Sequence, residues 1–552
     1  MEETKKSKKK SAVSYIWEVI GRQRWNIVAM TAIQILLAVF LTLQAGVLRN
    51  VVDRASEGDK DAFVKMAVLL VALVLIQVIL RAVIRPLRAY VTGAIENSFK
   101  RRLFHTLLWD DYSYVAGVHS GEWMNRLTSD TKVIADTITE IIPDLTGMLF
   151  RLVGALIYMM ILFPMLVYVI FPAGVIVCIV SLLFRWKMKK LHKGIQEADG
   201  DLRVYLTDHL QSMVVVRSFA QEDCVEKGAE ERLSKHLHAR MVRAHFSNLS
   251  QIAYAFFLRG TYLLAAVVCG YGILDGSISY GTFTAILELT AQIQYPIANM
   301  SGYLPRYYAM LASAERLMEA EAYLTERPEE TKKEFTGLGL SNVDFAYKGE
   351  KESTVFTDFS IHVKRGDHVA ITGPSGSGKS TVLRLLMGLY HPEKGSAYLE
   401  SGDEKIPLEK ARRSLFAYVP QGNHLMSGTI REVLCFGDKN RMQDEEAMWN
   451  ALRIACAEDF VKETEKGLDT KLGERGAGFS EGQIQRIAIA RALFSSHPIL
   501  ILDEATSALD EDTEEKLLET LRSQTDRTVI IVTHRKSVLK ICNQEYHIPE
   551  RG

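Results

Sequence analysis

Two stretches of this chain carry side chains whose types and spacing could handle phosphate groups. Gly373 to Thr381 reads GPSGSGKST; it follows the strand-like HVAITG and opens the helix-like TVLRLLMGLY. Its glycines (Gly373, Gly376, Gly378), with Ser375 among them, let backbone N–H groups come close to phosphate oxygens. The start of the helix adds a partial positive charge. Lys379 can reach the β- and γ-phosphates, and Ser380, next to Thr381, can offer a hydroxyl to Mg²⁺. The second stretch, PILILDEATSALD, runs from Pro498 to Asp510 and ends its apolar run in Asp503 and Glu504. A buried strand there would deliver both carboxylates to the edge that carries the phosphate loop. Asp503 suits Mg²⁺, held through water, and Glu504 suits the polarisation of an attacking water. A strand ending in two acids is weak on its own; beside Gly373–Thr381 it points to ATP and Mg²⁺ as cofactors.

These residues need a sheet to hold them, and the C-terminal part of the sequence supplies one. LFAYVPQ, ILILDEA and TVIIVTH are short β-branched runs that alternate with helical patterns, which predicts an α/β domain with a largely parallel sheet over 337–552. Ahead of it, TERPEETKKEFTG is charged and has no long apolar run, so 326–336 is expected to be a linker. Residues 1–325 are of another kind. Trp25–Leu48 holds no charged residue, and a second expected span runs from Phe63 to Ile84, with Arg81 and Arg85 near its far end. Leu152–Phe184 is long enough for two short crossings that turn at Phe163 and Pro164. Leu249–Leu274 and Ile278–Leu304 complete six expected spans. Lys100, Arg101, Arg102, Lys187, Lys189 and Lys190 lie in the segments 91–147 and 186–246, and Arg185 borders the second, which places those segments, both termini and the ATPase domain in the cytoplasm. The same segments read as membrane helices prolonged into water and joined by short turns, one marked by Gly117, Ser120 and Gly121. The fold class is therefore an all-α six-helix transmembrane domain followed by an α/β P-loop NTPase domain.

Bulk properties exclude several classes. The chain has 552 residues, with Lys+Arg and Asp+Glu both at 66, which gives no electrostatic footprint for nucleic acid. Six dispersed cysteines show no metal-ligand spacing and read as small apolar residues in a reducing compartment. The opening MEETKKSKKK lacks a small-residue cleavage site before the first apolar run, so it reads as a retained cytoplasmic segment.

The whole pattern resembles the ATP-binding cassette transporters of exporter type, in which six membrane helices are fused ahead of one nucleotide-binding domain. Further motifs follow in that family's order. By this resemblance Tyr347 in VDFAY implies an adenine-stacking aromatic and Gln421 in YVPQ a glutamine that senses Mg²⁺. Gly473–Gly476 implies a loop that contacts the membrane domain, and Ser507–Asp510 a loop that crosses a dimer interface. His534 in IVTH implies a switch histidine at the γ-phosphate. Ser480, Gly482 and Gln483 belong to the signature that closes over ATP held by a second subunit, so catalytic roles fall to Glu504, His534 and Gln421. SGEWMNRLTSD matches the stretch after a first cytoplasmic turn, a second turn is expected near Gln211–Arg217, and Pro296 matches a proline of the sixth helix. The resemblance implies a multi-pass protein of a bacterial inner membrane. Its partners would be a second half-transporter, the lipid bilayer, and a small-molecule, lipid or peptide substrate moved by alternating access.

The sequence departs from the family in its signature, where Glu481 replaces a glycine. Ser480 and Gln483 are spaced as a capping box, which puts Glu481 in the first helical turn, where the helix dipole contributes about 0.3–1 kcal/mol. Facing a triphosphate at about 4 Å, the same carboxylate would meet about 1–4 kcal/mol of repulsion. Two arrangements stay open: a homodimer with two working sites, or a heterodimer in which Glu481 belongs to a slow one. The family's usual Gly turn and helix beyond the last strand are not present in EYHIPERG. Arg259 and Glu288 lie inside expected spans, where charges cost about 2.5–3.5 kcal/mol each and need a partner or a wet cavity. Arg81 and Arg151 read as nearer the span ends, within snorkelling reach. Other classes sharing the nucleotide motifs are a soluble ATPase acting on DNA or translation, which six spans argue against, and an ATP-gated channel or regulator. An importer is a further alternative, though importers mostly keep the two halves on separate chains.

Overall fold

The computed structural model describes residues 11–322, 335–347, 353–410, 413–422, 425–473, 478–523 and 526–550. The chain divides into two compact units, one formed by 1–105 with 120–322 and the other by 106–119 with 323–552. Most of the expected linker, 326–334, lies outside the described residues.

In the first unit, a short helix α1 (Ala12–Ile20) precedes α2 (Gln23–Glu57) and α3 (Lys60–Trp109). The small helices α4 (Tyr112–Gly117) and α5 (Ser120–Asn125) then lead through a π-helical turn, Arg126–Asp130, into α6 (Thr131–Leu162). α7 (Pro164–Gln211), α8 (Met213–Ser218), α9 (Glu222–Leu274), α10 (Tyr280–Asn299) and α11 (Tyr303–Glu321) follow. Phe163 caps α6 and Pro164 opens α7, because a ring lacking an N–H costs nothing at the first helical position. By length and composition, four stretches among the described residues are apolar enough to cross a membrane: α2, α3, Ser120–Leu162 and α9. The other two expected spans fall on α7 and on α10. The side chains of the apolar run of α7 lie mostly outside the described residues. The sixth span ends earlier than expected. Pro296 removes one helical N–H, α10 stops at Asn299, and a 3₁₀ turn at Met300–Gly302 intervenes before α11. α3, α7 and α9 continue far past their apolar portions, and α8 forms the expected turn near Gln211–Arg217.

The interior of this unit contains Ala45, Ala155, Met159, Ala265, Cys269, Ile286, Leu289 and Ile293. Val68, Leu75, Val78 and Leu263 point outward and are mostly exposed, forming an apolar surface that a bilayer would cover. Polar groups between the helices are tied by ion pairs and hydrogen bonds. Asp144 on α6 accepts from Arg88 on α3 (Nη1, 3.1 Å) and Gln34 on α2 (2.6 Å). Asp130 is buried and accepts from Ser313 Oγ (2.9 Å) and Arg316 Nε (2.8 Å) on α11.

The second unit is built on a five-stranded parallel sheet. Its strands are named in chain order with those of a four-stranded and a two-stranded (β7-β8) sheet: β1 (Gly337–Tyr347), β2 (Ser353–Lys364), β3 (His368–Thr372), β4 (Lys394–Ser401), β5 (Glu404–Pro407), β6 (Phe416–Val419), β7 (Gly428–Thr429), β8 (Lys471–Leu472), β9 (Ile499–Asp503), β10 (Thr528–Val532) and β11 (Gln544–His547). The parallel order is β11-β3-β10-β9-β6. β9 and β10 are buried at every residue, as their unbroken apolar runs require of strands covered on both faces. A four-stranded antiparallel sheet, β2-β1-β4-β5, is an addition to the predicted architecture. The helices are α12 (Lys379–Leu386), α13 (Ile430–Leu434), α14 (Glu445–Ile454), α15 (Glu458–Lys462), α16 (Glu481–Phe494), α17 (Glu511–Ser523) and α18 (Lys536–Leu539). Segment 106–119, expected within the membrane domain, clusters with this unit. Asp111 caps α4, accepting from Ser113 N at 2.8 Å, and the Tyr112 ring lies 6.0 Å from that of Tyr390.

Candidate functional site

Two parallel strands that flank β10 bring the two phosphate-handling stretches to one sheet edge. β3 ends at Thr372 and runs into the loop, while β9, one strand beyond β10, ends in Asp503. The loop turns through left-handed backbone at Gly376 and Gly378. A Cβ on Gly378 would lie 2.7 Å from the Val355 and Phe356 side chains, so both conformation and space demand glycine there. Gly378 then caps α12, which begins at Lys379.

Lys379 is buried, and its ammonium is folded back on the loop, donating to the carbonyls of Gly373 (2.9 Å) and Pro374 (2.8 Å). Ser375 and Gly376 at the loop tip are exposed, whereas Ser377 is buried with its hydroxyl unpartnered among the described residues. Ser380 donates weakly to Asp503 Oδ1 (3.4 Å), and Tyr418 donates to Asp503 Oδ2 (3.2 Å). Burial pushes the Asp503 carboxyl above its ordinary value, and the two hydroxyls oppose that shift. A buried carboxylate beside a serine hydroxyl, with no cation paired to it among the described residues, is a hard-oxygen donor set that fits Mg²⁺.

Glu504 occupies left-handed backbone, φ +51°, unusual for a residue with a Cβ and costly by about 1–2 kcal/mol. The conformation is held from both sides. Its N–H donates to Val532 O (3.0 Å), and its carbonyl accepts from the buried Gln485 (3.4 Å). The carboxylate accepts from Gln421 Nε2 at 2.8 Å and lies 3.3 Å from His534 Nε2. Three residues far apart in sequence thus converge on one carboxylate. Arg535 extends the network, donating to the carbonyls of Ser507 (3.0 Å) and Leu509 (3.2 Å) and so fixing the loop 507–510.

Tyr347 donates to or accepts from Thr381 Oγ1 at 2.8 Å, which ties the end of β1 to the first turn of α12. At the signature, Ser480 Oγ accepts from Gln483 N while Gln483 Oε1 accepts from Ser480 N (2.9 Å), the expected capping box. Glu481 is exposed in the first turn, and a Cβ on Gly482 would lie 3.0 Å from Ala508 O. Of the 473–476 loop, only Gly473 is among the described residues. Tyr418, Ser377 and Gln485 were not singled out from sequence. Tyr418 stands three residues before Gln421 and so carried a signal, whereas Gln485 lies among the polar residues of the signature and carried none of its own. Clefts of about 460 and 720 Å³ line α14, and neither touches the phosphate loop.

Comparison with known proteins gives the family. The family description "ABC transporter transmembrane region" matches residues 27–297, and "ABC transporter" matches 356–507. An ATP-dependent permease, MDL1, of Candida albicans is 30% identical over 479 residues, covering 82% of this chain and 69% of the relative. The chain belongs to the ABC transporter family. An ATP-dependent lipid A-core flippase of Haemophilus ducreyi is 27% identical over 97% of this chain and 94% of its own length. The fold is that of a bacterial Atm1-family ABC exporter with ATP bound, at TM-score 0.79 and 23% identity, covering 96% of this chain and 94% of that one. This ABC transporter is a membrane protein whose ATPase domain binds and hydrolyses ATP in support of transport.

Proposed function

We propose that the chain is one half of a dimeric exporter of the bacterial inner membrane, moving an amphipathic, lipid-like substrate by alternating access. The observation that carries the catalytic reading is the carboxylate of Glu504, gripped by Gln421 and His534 beside the Ser380–Asp503 pair. In this reading, backbone N–H groups of Gly373–Gly378 and the Lys379 ammonium hold the triphosphate, with Ser375 at the exposed loop tip and Thr381 at the start of α12. Ser380, Asp503 and Gln421 hold Mg²⁺, which supplies charge neutralisation to the phosphates when bound. Glu504 aligns the attacking water, and His534 holds Glu504 on one side while it reaches the γ-phosphate on the other. Tyr347 stacks on adenine. Ser480, Gly482 and Gln483 close over ATP held by the second subunit, and residues 1–325 and 337–552, joined by 326–336, are the membrane and ATPase domains.

The substrate reading is supported by the flippase relative and by charge placed deep in apolar helix. Arg151 lies 11 residues before the end of α6 at Leu162, roughly 16 Å at 1.5 Å per residue, and so deeper than its sequence position suggested. Its guanidinium sits 4.9 Å over the Tyr295 ring of α10. Glu288 accepts only a long bond from Gln292 (3.3 Å), and Arg259 is exposed, with no ion pair to Glu288 among the described residues. Arg151 is thus tied across to α10, and the wet-cavity reading rests on Arg259.

The test is ATPase activity in lipid with the oligomeric mass measured. A dimer whose rate falls by about 10²–10⁴ in Glu504→Gln, with ATP binding retained, supports the assignment. A variant that hydrolyses at the parent rate sinks the role given to Glu504.

A further inference from the structure

The residue read as the adenine platform does not stand alone. Tyr347 meets the ring of Tyr390 edge-on, 5.8 Å away at 90°, and the ring of Phe345 at 5.3 Å and 81°. Tyr390 and Phe345 are themselves stacked at 5.6 Å and 13°, and the Arg384 guanidinium lies 5.6 Å from the Tyr390 centroid. Tyr390 and Phe345 are both buried, while Tyr347 keeps accessible surface. The third neighbour of Tyr390 comes from elsewhere in the sequence: Tyr112, at the start of α4, lies 6.0 Å away in segment 106–119. A simple aromatic patch beneath the antiparallel sheet would require only Phe345 and Tyr390. It would not require an inserted segment to touch the ring that orients Tyr347.

We propose that Tyr390 is a positioning residue for nucleotide binding: held by Tyr112, its ring fixes the edge of Tyr347 so that the opposite part of Tyr347 is presented to the base. The inference rests on Tyr347 as the adenine platform. It makes the position of segment 106–119 a determinant of ATP affinity through ring contacts, separate from the Gln421 and Glu504 contacts.

The experiment uses the full chain in lipid and compares ATP with inorganic tripolyphosphate, which has the phosphates but no base. Tyr390→Leu is expected to raise KM for ATP about two- to tenfold, the size of one aromatic pair, with kcat less affected and the inhibition constant of tripolyphosphate unchanged. Tyr390→Phe should restore the parent KM. Tyr112→Ala, at a position 38% exposed that tolerates truncation, should raise KM in the parent background and not in Tyr390→Leu. Equal losses for ATP and tripolyphosphate, or a Tyr112 effect that is the same in both backgrounds, overturn the proposal as mere structural damage. Should Tyr390→Leu not fold, Tyr112→Ala decides alone: a selective rise in KM for ATP supports the proposal and no change ends it. Tyr347→Ala separates the two levels. If it leaves KM for ATP unchanged, the platform reading fails and this inference with it. If it raises KM while the Tyr390 and Tyr112 variants do not, only the positioning role fails.

Discussion

The catalytic edge of the parallel sheet and the apolar interior of the helical unit place polar atoms by opposite rules. At the sheet edge, Glu504, Gln421, His534, Ser380 and Asp503 are drawn from separate segments, and nearly every polar atom finds a partner. In the helical unit, the interior is mostly Ala, Ile, Leu and Met with scattered Thr and Gln, and its charged groups are held by a few ties such as Asp144–Arg88 and Asp130–Arg316. The first region is fixed by strands buried on both faces, which set its geometry from within the unit. The second leaves a wide apolar surface outward, and its arrangement depends on what covers it.

The largest expected difference between the two is in the cost of removing apolar volume. Leu502 is fully buried in β9, immediately before Asp503, and Leu502→Ala should destabilise the α/β unit by about 2–5 kcal/mol in denaturant unfolding. Val78 on α3 is 57% exposed, and Val78→Ala in lipid should stay within about 0.5 kcal/mol. If the two substitutions cost the same, the contrast drawn above is wrong.

A smaller effect is expected where the helical unit does use charge. Asp130→Ala leaves the donors of Ser313 and Arg316 without their acceptor, and should cost about 1–3 kcal/mol. The Arg316 side chain is 44% exposed and can turn to water, which keeps the loss below that of a fully buried pair. Asp130→Asn, which keeps one acceptor, should recover part of it in the same unfolding assay.

Asp110, at the start of the segment that clusters with the ATPase unit, gives a pH-dependent term. Burial lifts its carboxyl to about 6, against the N–H of Asp111 that favours ionisation, and its Oδ2 is buried without a partner among the described residues. A carboxyl whose folded pKa lies above its unfolded one disfavours folding when ionised. That cost is fully present above pH 6 and fades as the pH drops towards the unfolded value near about 4. The melting temperature of the parent, measured relative to Asp110→Asn, should therefore rise between pH 7.5 and pH 5. A constant difference across that range would mean that Asp110 is not titrating there.

How much of this was legible in the sequence follows from the same contrast. GPSGSGKST and ILILDE could be read because each couples a fixed local conformation to a chemical role, and the sheet order then brings them together. The turn at Phe163 and Pro164 was readable because proline cannot continue a helix inward from its N–H side. The antiparallel sheet was not read, since β1 and β2 carry mixed patterns with bulges between Leu340 and Ala346. Tyr390 and Tyr112 were out of reach, because their pairing joins positions nearly 300 residues apart with no motif at either. For Arg151 the apolar run was counted from the residue after it, whereas α6 begins twenty residues earlier.

The smallest expected effect concerns Glu481, the residue that departs from the family signature. Its carboxylate stands exposed in the first turn of α16, where the capping box of Ser480 and Gln483 leaves the helix dipole to be met by an anion. A carboxylate that served only the helix would lose about 0.3–1 kcal/mol of stability in Glu481→Gln and leave the KM for ATP within about twofold. A carboxylate facing the triphosphate of a second subunit would oppose binding by about 1–4 kcal/mol, so its neutralisation would lower KM about fivefold or more. The expected result is the first, because Ser480 and Gln483 are already bonded to each other and the turn they close gives Glu481 a local role that needs no nucleotide. A drop in KM of fivefold would reverse that assignment and favour a dimer in which this signature faces a slow site.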